Sequence, residues 1–231
     1  MSDTPPRRKA LEIIVERVAL AGKRVVDVGC GEGGFARALA GLGARVTGVE
    51  CGAEMLSRAK AAPAIADETY LEGVGEALPV EDASADIVAF MNSLHHVPIV
   101  HMDKALAEAA GALAPGGVVL VNEPVADGDF FQLTRLVDDE TEARAAALAA
   151  VGRAVAAGLL VEQAEILYLN PVRFADYDAF AQRMGLIDAT RKAKVAADET
   201  LLRQRFDALS SPHPDGGRCF DQPARLYLFG K

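Results

Sequence analysis

The stretch RVVDVGCGEGGFARALAGLGARVTGVE, residues 24–50, decides the fold. Its opening, RVVDVGC (24–30), is β-branched and apolar and then runs into glycines, which predicts a first strand. In GGFARALAGLGA, Phe35, Leu39 and Leu42 recur at helical spacing. RVTGVE (45–50) returns to a strand pattern. Strand, glycine loop, helix and strand in about thirty residues form one βαβ unit, which needs a parallel sheet.

The same alternation continues outward. AEMLSRAKA predicts a short helix, ETYLEGV (68–74) a third strand and ADIVAFMN (85–92) a fourth. MDKALAEAAGALA sets Met102, Leu106, Ala109 and Leu113 on one helical face. APGG is expected to end that helix, and VVLVNEP (118–124) to form strand five. Continuous apolar strands alternating with helices predict a doubly wound sheet covered on both sides.

The second half changes character. Residues 130–160 read as helical, EILYLNPVRF (165–174) as a strand, residues 176–185 and 189–210 as helix, and ARLYLFGK as a closing strand. The expected architecture is α/β, with a mainly parallel sheet, an antiparallel C-terminal strand and a helical insertion. Residues 1–231 are read as a single domain, with a ligand-binding core at 20–124 and a helical cover and sheet completion at 125–231.

Composition bounds the function. The chain has 231 residues, 51% of them hydrophobic, so it can bury a core. A net charge of −9 argues against a protein built to grip nucleic-acid phosphates or an anionic membrane. Three widely spaced cysteines, Cys30, Cys51 and Cys219, form no disulfide framework or zinc pattern. Leu11, Ile14, Val15 and Val18 make the N-terminus an amphipathic helix, not a signal peptide. No apolar run reaches the roughly 18 residues a membrane span needs. A cytoplasmic protein with reduced thiols is expected.

Ligands of open parallel sheets bind at the carboxyl ends of the strands. Gly29, Gly31 and Gly34 let backbone approach a ligand there, and Glu50, ending strand two, suits a pair of ribose hydroxyls. That spacing also satisfies the dinucleotide fingerprint, so a nicotinamide dinucleotide and S-adenosylmethionine compete. Asp27, two residues before the first glycine, favours a ligand with a cationic end over a pyrophosphate.

The stretches VVDVGCGEGGFARALAGLGARVTGVE, GVGEALPVEDASADIVAFMNSLHHV and ALAEAAGALAPGGVVLVNEP together resemble class I S-adenosylmethionine-dependent methyltransferases. The likeness runs from about residue 20 to 124 and is strongest to the small-molecule group that includes quinone-biosynthesis enzymes. It implies a Rossmann-like fold, S-adenosylmethionine as cofactor and methyl transfer to a small organic acceptor. It implies that Asp27, Gly29, Cys30 and Gly31 line the methionine portion, that Glu50 holds the ribose, and that Cys51 and Met55 lie near the adenine. Where that family often has an aspartate for the adenine amino group, this chain has Val74, so the resemblance implies that the contact is either lost or taken over by backbone groups near Val74 and Gly75. Two further readings remain open: a nicotinamide-dependent oxidoreductase and a cofactor-binding module without turnover.

FMNSLHHVPIVHM (90–102) holds three of the four histidines. Asn92 ends strand four, so the loop after it borders the cofactor in the resembled family. Adjacent His95 and His96 point apart and have no cysteine or carboxylate at ligand spacing, so no metal is expected. One of them is expected to hydrogen-bond within the loop and the other to shape the cavity. Either is a candidate general base, the only catalytic role the sequence offers. His101 reads as surface or capping, and His213 as an exposed loop residue. Glu123, Phe130 and Arg135 are candidates for the substrate side, with Tyr168 and Arg173 weaker. VDDETE (137–142) reads as a solvated helix start.

Overall fold

The computed structural model describes residues 4–231. It contains a sheet whose strands run in the order β3-β2-β1-β4-β5-β8-β6, with β7 paired to β8. The first five strands in the chain are β1 (Arg24–Val28), β2 (Arg45–Glu50), β3 (Thr69–Glu72), β4 (Ala85–Met91) and β5 (Leu113–Pro124). Their mutual pairings are parallel. β6 (Val161–Phe174), β7 (Ser211–Pro212) and β8 (Arg218–Gly230) complete the sheet, with antiparallel pairing at the C-terminal end.

The chain divides into two compact units, and β6 and β8 each pass from one to the other along their length. The larger unit comprises Ala10–Glu123, Ala143–Ile166 and Arg225–Lys231. It holds α1 (Ala10–Arg17), α2 (Gly34–Ala40), α3 (Ala53–Ala61) and α4 (Met102–Ala112), and nearly all of α6 (Thr141–Ala156). Its core packs Val26, Val28, Val88, Phe90, Val119 and Val121 of the sheet against Met102, Leu106 and Ala109 of α4. Ala147, Ala150 and Val151 of α6 join them, as do Tyr227 and Phe229 of β8. β1 and β4, in the middle of the sheet, are buried along most of their length, as strands covered on both faces are, whereas β3 is largely exposed.

The smaller unit comprises residues 4–9, Pro124–Glu142 and Leu167–Ala224. It contains α5 (Gly128–Thr134), α7 (Tyr177–Gly185), α8 (Ala189–Ala197) and α9 (Glu199–Leu209). Its own core is aromatic: Phe174, Tyr177, Phe180, Phe206 and Phe220 meet largely edge to face, with centroids 5.4–6.3 Å apart. Asp176 caps α7 by accepting the Ala179 N–H at 2.8 Å, and Asp188 caps α8 through the Arg191 N–H at 2.8 Å.

Four local expectations are corrected. Leu113 and APGG do not end a helix outside the sheet: they form the start of β5. Ala85 pairs with Leu113 and Ile87 with Val118, so a bulge absorbs the proline and two glycines. Residues 130–160 are not one helix, because α5 stops at Thr134 and α6 starts at Thr141. Asp139 accepts the Thr141 N–H at 3.1 Å there, capping the second helix. The acidic run is only partly solvated: Arg191, whose side chain is 14% exposed, binds Asp138 and, at 3.1 Å, Glu140. In α1 the buried pair is Ile13 and Ile14, and Val15 is 46% exposed.

Candidate active site

The order of the sheet reverses at β1: β2 and β3 lie on one side of it, β4 and β5 on the other. The carboxyl ends of β1 and β4 therefore flank a switch point, where open α/β sheets bind ligands. Two loops border it, residues 29–33 after β1 and residues 92–96 after β4.

The first loop needs glycine for two reasons. Gly29, Gly31 and Gly33 have φ of +70°, +55° and +76°, a left-handed region that side chains with a Cβ resist. A Cβ on Gly29 would also lie 2.6 Å from the Ser93 Cβ, and one on Gly33 2.5 Å from the Tyr70 hydroxyl. Glu50 braces the loop. Its Oε2 accepts the Gly31 N–H at 2.8 Å and its Oε1 the Gly52 N–H at 2.7 Å. Each carboxylate oxygen has two lone-pair directions, so Glu50 retains acceptor capacity for a sugar hydroxyl.

Asp27 sits beneath this loop, 1% exposed, with Gly48 of β2 and Ala89 of β4 as its strand neighbours. The Ala36 backbone N–H bonds its carboxyl group. No protein group among the described residues donates to Oδ2. Burial, reinforced by the charge of Glu50, pushes the carboxyl group up to about 7. The buried Cys30 thiol is likewise pushed up to about 12, first by burial and then by Asp27 and Glu50, which makes it inert as a nucleophile. A glycine cradle over a buried carboxylate with an unsatisfied oxygen matches a ligand that brings positive charge. That is the chemistry of the sulfonium and ammonium of S-adenosylmethionine.

The second loop is fastened from three sides. The Ser93 hydroxyl donates to the Val28 carbonyl at 2.5 Å. Asn92, at φ +57°, donates its N–H to the Asn122 carbonyl at 2.8 Å, and its Oδ1 accepts the Asn122 amide at 2.9 Å. Glu123 accepts the Leu94 N–H at 2.9 Å through Oε1 and bonds His95 Nδ1 through Oε2. His95 and Glu123 are both buried, whereas His96 is exposed, with its ring centroid 4.1 Å from that of His95.

These contacts sort the sequence candidates. Asp27, Gly29, Cys30, Gly31, Glu50 and Asn92 all belong to the two loops and their strand ends. Cys51, exposed, and Met55, half-buried in α3, follow Glu50 directly. Val74 is 39% exposed and forms an isolated bridge with Ala77, while Gly75 is buried against Val28, Val97 and Ala105. Glu123, buried, supports Leu94 and His95 with one oxygen each. Phe130 packs on the aromatic core of the smaller unit, 6.0 Å from Phe174, and Arg135 pairs with Asp139 at 2.9 Å. Tyr168 is buried, and Arg173 bonds the Asp215 and Gly216 carbonyls. His101 is exposed and makes no side-chain cap, and His213 is half-buried, accepting the Asp215 N–H at 3.2 Å.

Ser93, Tyr70 and Asn122 were not singled out from sequence. Asn122 and Ser93 carried a readable signal, since each is a small polar residue just past a buried apolar strand run.

Residues 26–121 match the family model described as "Methyltransferase domain". The chain is 30% identical over 226 residues to a malonyl-[acyl-carrier protein] O-methyltransferase of Enterobacter lignolyticus, covering 96% of this chain and 86% of that protein. It is 40% identical over 114 residues to a ubiquinone biosynthesis O-methyltransferase of Psychrobacter arcticus, a match that spans 42% of that protein's length. Among solved structures, the YcgJ protein of Bacillus subtilis is 26% identical, with a TM-score of 0.64, covering 94% of this chain and 95% of that one. With the switch-point loops and the buried Asp27 in place, this chain belongs to the class I S-adenosylmethionine-dependent methyltransferases.

Proposed function

We propose that this protein transfers the methyl group of S-adenosylmethionine to a small organic acceptor, leaving S-adenosylhomocysteine. The observation that carries the reading is the glycine loop braced by Glu50 over a buried Asp27 whose Oδ2 has no donor among the described residues. Family membership displaces the nicotinamide reading. The two relatives cited are named for O-methyl transfer, which supports an oxygen acceptor. A net charge of −9 supports a small molecule over a nucleic acid. Among the described residues no helix is long and apolar enough to cross a membrane. We take the cytoplasm as its site of action.

The bound cofactor supplies an electrophilic methyl group on a good leaving group. The protein's share is therefore proximity, alignment and exclusion of water. Asp27, Gly29, Cys30 and Gly31 hold the methionine end, and Glu50 the ribose hydroxyls. Cys51, Met55, Val74 and Gly75 flank the adenine, and Asn92 fixes the exit of β4. His95 accepts the acceptor's proton where one must leave. Glu123 favours the ring form with the proton on Nδ1, which makes Nε2 the basic nitrogen. His96 shapes the surface beside it. Residues 125–231, with Phe130 and Arg135, select the acceptor.

The test is direct. Purified protein is incubated with S-adenosylmethionine and a panel of phenols, alcohols, carboxylates, amines and thiols, and S-adenosylhomocysteine is quantified. Release that depends on one acceptor class is expected. Binding of the cofactor without release across the panel would reduce the protein to a binding module.

A further inference from the structure

Asp27 has properties that a fixed counter-charge would not need. It is buried between Gly48 and Ala89 on the neighbouring strands, and Ala36 of α2 gives it a single backbone donor. Its Oδ2 receives no hydrogen bond from the described residues. The ionisable groups around it are unfavourable to a second negative charge. Glu50 at the end of β2 is a carboxylate, and Cys30 in the loop is a buried thiol. Arg37 of α2 is turned to the Tyr70 hydroxyl at 3.4 Å, and β4 offers only Ala89 as its register partner. Among the described residues, Arg37 is the one cation in this set, and its guanidinium is bonded to Tyr70 rather than to Asp27.

We infer that Asp27 is a proton-exchanging determinant of cofactor selectivity, protonated in the empty site and ionised by the positive charge of the entering cofactor. The inference rests on the cofactor reading above. The proton leaves the Asp27 carboxyl for bulk buffer, and the carboxylate stays as counter-ion to the cationic methionine end. No covalent bond other than O–H is broken.

Two consequences follow. Cofactor binding becomes linked to pH, because only the ionised form of Asp27 suits the ligand. With the empty-site carboxyl titrating at about 7, affinity falls by about tenfold per pH unit below that point and levels off above it. The site also discriminates substrate from product by charge. S-Adenosylmethionine carries a sulfonium and an ammonium, whereas S-adenosylhomocysteine has lost the sulfonium charge. The product displaces the proton less completely, so turnover allows Asp27 to recover it and weakens product retention.

The experiment is calorimetric titration of the whole protein with S-adenosylmethionine, S-adenosylhomocysteine and sinefungin, which carries an amine at the place of the sulfonium. Each titration is repeated in buffers of different ionisation enthalpy at about pH 6 and about pH 8.5, so that protons released are counted. The expected result is release near pH 6 that is larger for S-adenosylmethionine and sinefungin than for S-adenosylhomocysteine, and negligible near pH 8.5. Asp27→Asn is expected to abolish the release and the pH dependence, and Glu50→Gln to move the release to lower pH. If Asp27→Asn does not fold, the infrared carbonyl band of a protonated carboxyl in the wild-type protein, lost on sinefungin addition, reports the same event. Binding without proton release, release retained in Asp27→Asn, or equal release for all three ligands would overturn the inference. Absence of binding by all three would overturn the cofactor reading and the inference with it.

Discussion

The Ser93 hydroxyl donates to the Val28 carbonyl at 2.5 Å, tying the exit of β4 to the exit of β1. The same serine stands 2.6 Å from where a Cβ on Gly29 would sit. One side chain thus fixes the spacing of the two loops and forbids a larger residue in the first. Ser93→Ala is expected to cost about 1 kcal/mol, since it removes a buried hydrogen bond between the two strand exits. Gly29→Ala adds a steric clash to left-handed backbone strain and is expected to cost more. Chemical denaturation of the two variants measures both, and a Gly29→Ala variant as stable as wild type would refute the packing.

Gly33 and Tyr70 make a second steric pair, with a hypothetical Cβ 2.5 Å from the phenol oxygen. Gly33→Ala is expected to destabilise the protein, and Tyr70→Ala to relieve only the clash when the two are combined. A residue of roughly 1–2 kcal/mol should persist from the φ of +76° at position 33. A double-mutant cycle in urea resolves the two contributions.

Glu50 uses its two oxygens on two different backbone N–H groups. Glu50→Gln replaces one acceptor by a donor, setting N–H against N–H at Gly31 or Gly52. A loss of about 2–3 kcal/mol in stability is expected. If Glu50 is the ribose partner as well as the loop brace, affinity for S-adenosylhomocysteine should fall together with it. Unchanged affinity would remove Glu50 from the ribose.

Asp27 also predicts a pH dependence of the empty protein. Its carboxyl group is raised from 3.8 to about 7, so the folded state binds more protons than the unfolded state between those values. Stability contributed by this group therefore falls as pH rises from about 4 and is lowest above 7. Asp27→Asn keeps an acceptor for the Ala36 N–H and cannot ionise. Without ligand it should be more stable than wild type near pH 8, by an amount on the order of 4 kcal/mol if only that cost is removed. The gain should vanish near pH 4. Thermal denaturation at several pH values decides this, and an equal effect at both ends would contradict it.

His95 and Glu123 lead to a prediction about roles. If His95 takes the acceptor's proton, His95→Gln should lower kcat by about 10²–10⁴-fold, while His96→Ala retains most turnover. Glu123→Gln should lie between them and leave the cofactor Kd nearly unchanged. Steady-state kinetics with any acceptor found in the panel gives the comparison.

The larger unit was legible because its signals are local. RVVDVGC, RVTGVE and ADIVAFM contain their own β-branched burial pattern, and glycines mark where β1 turns into α2. Asp27 and Glu50 were readable from their distance to that loop. The role of Glu123 was not, because it depends on the pairing of β4 with β5, which brings residues 95 and 123 together across 28 positions. The break before α6 was missed for a related reason. The alanine-rich periodicity on either side hides a cap at Asp139 and a distant arginine, Arg191, that holds Asp138 and Glu140. APGG was misread because proline and glycine signal interruption, and a bulge inside a strand satisfies that signal as well as a loop does.

The division of the chain has a practical meaning for dissection. The polypeptide changes unit at five joints, after Lys9, Glu123, Glu142, Ile166 and Ala224. Neither unit is a contiguous segment, so no single protease cut yields either one whole. A chimera that exchanges the aromatic-core unit for that of a relative must rebuild every joint, including two that fall inside β6 and β8. Point substitution is therefore the workable route to dissecting either unit, and truncation is not.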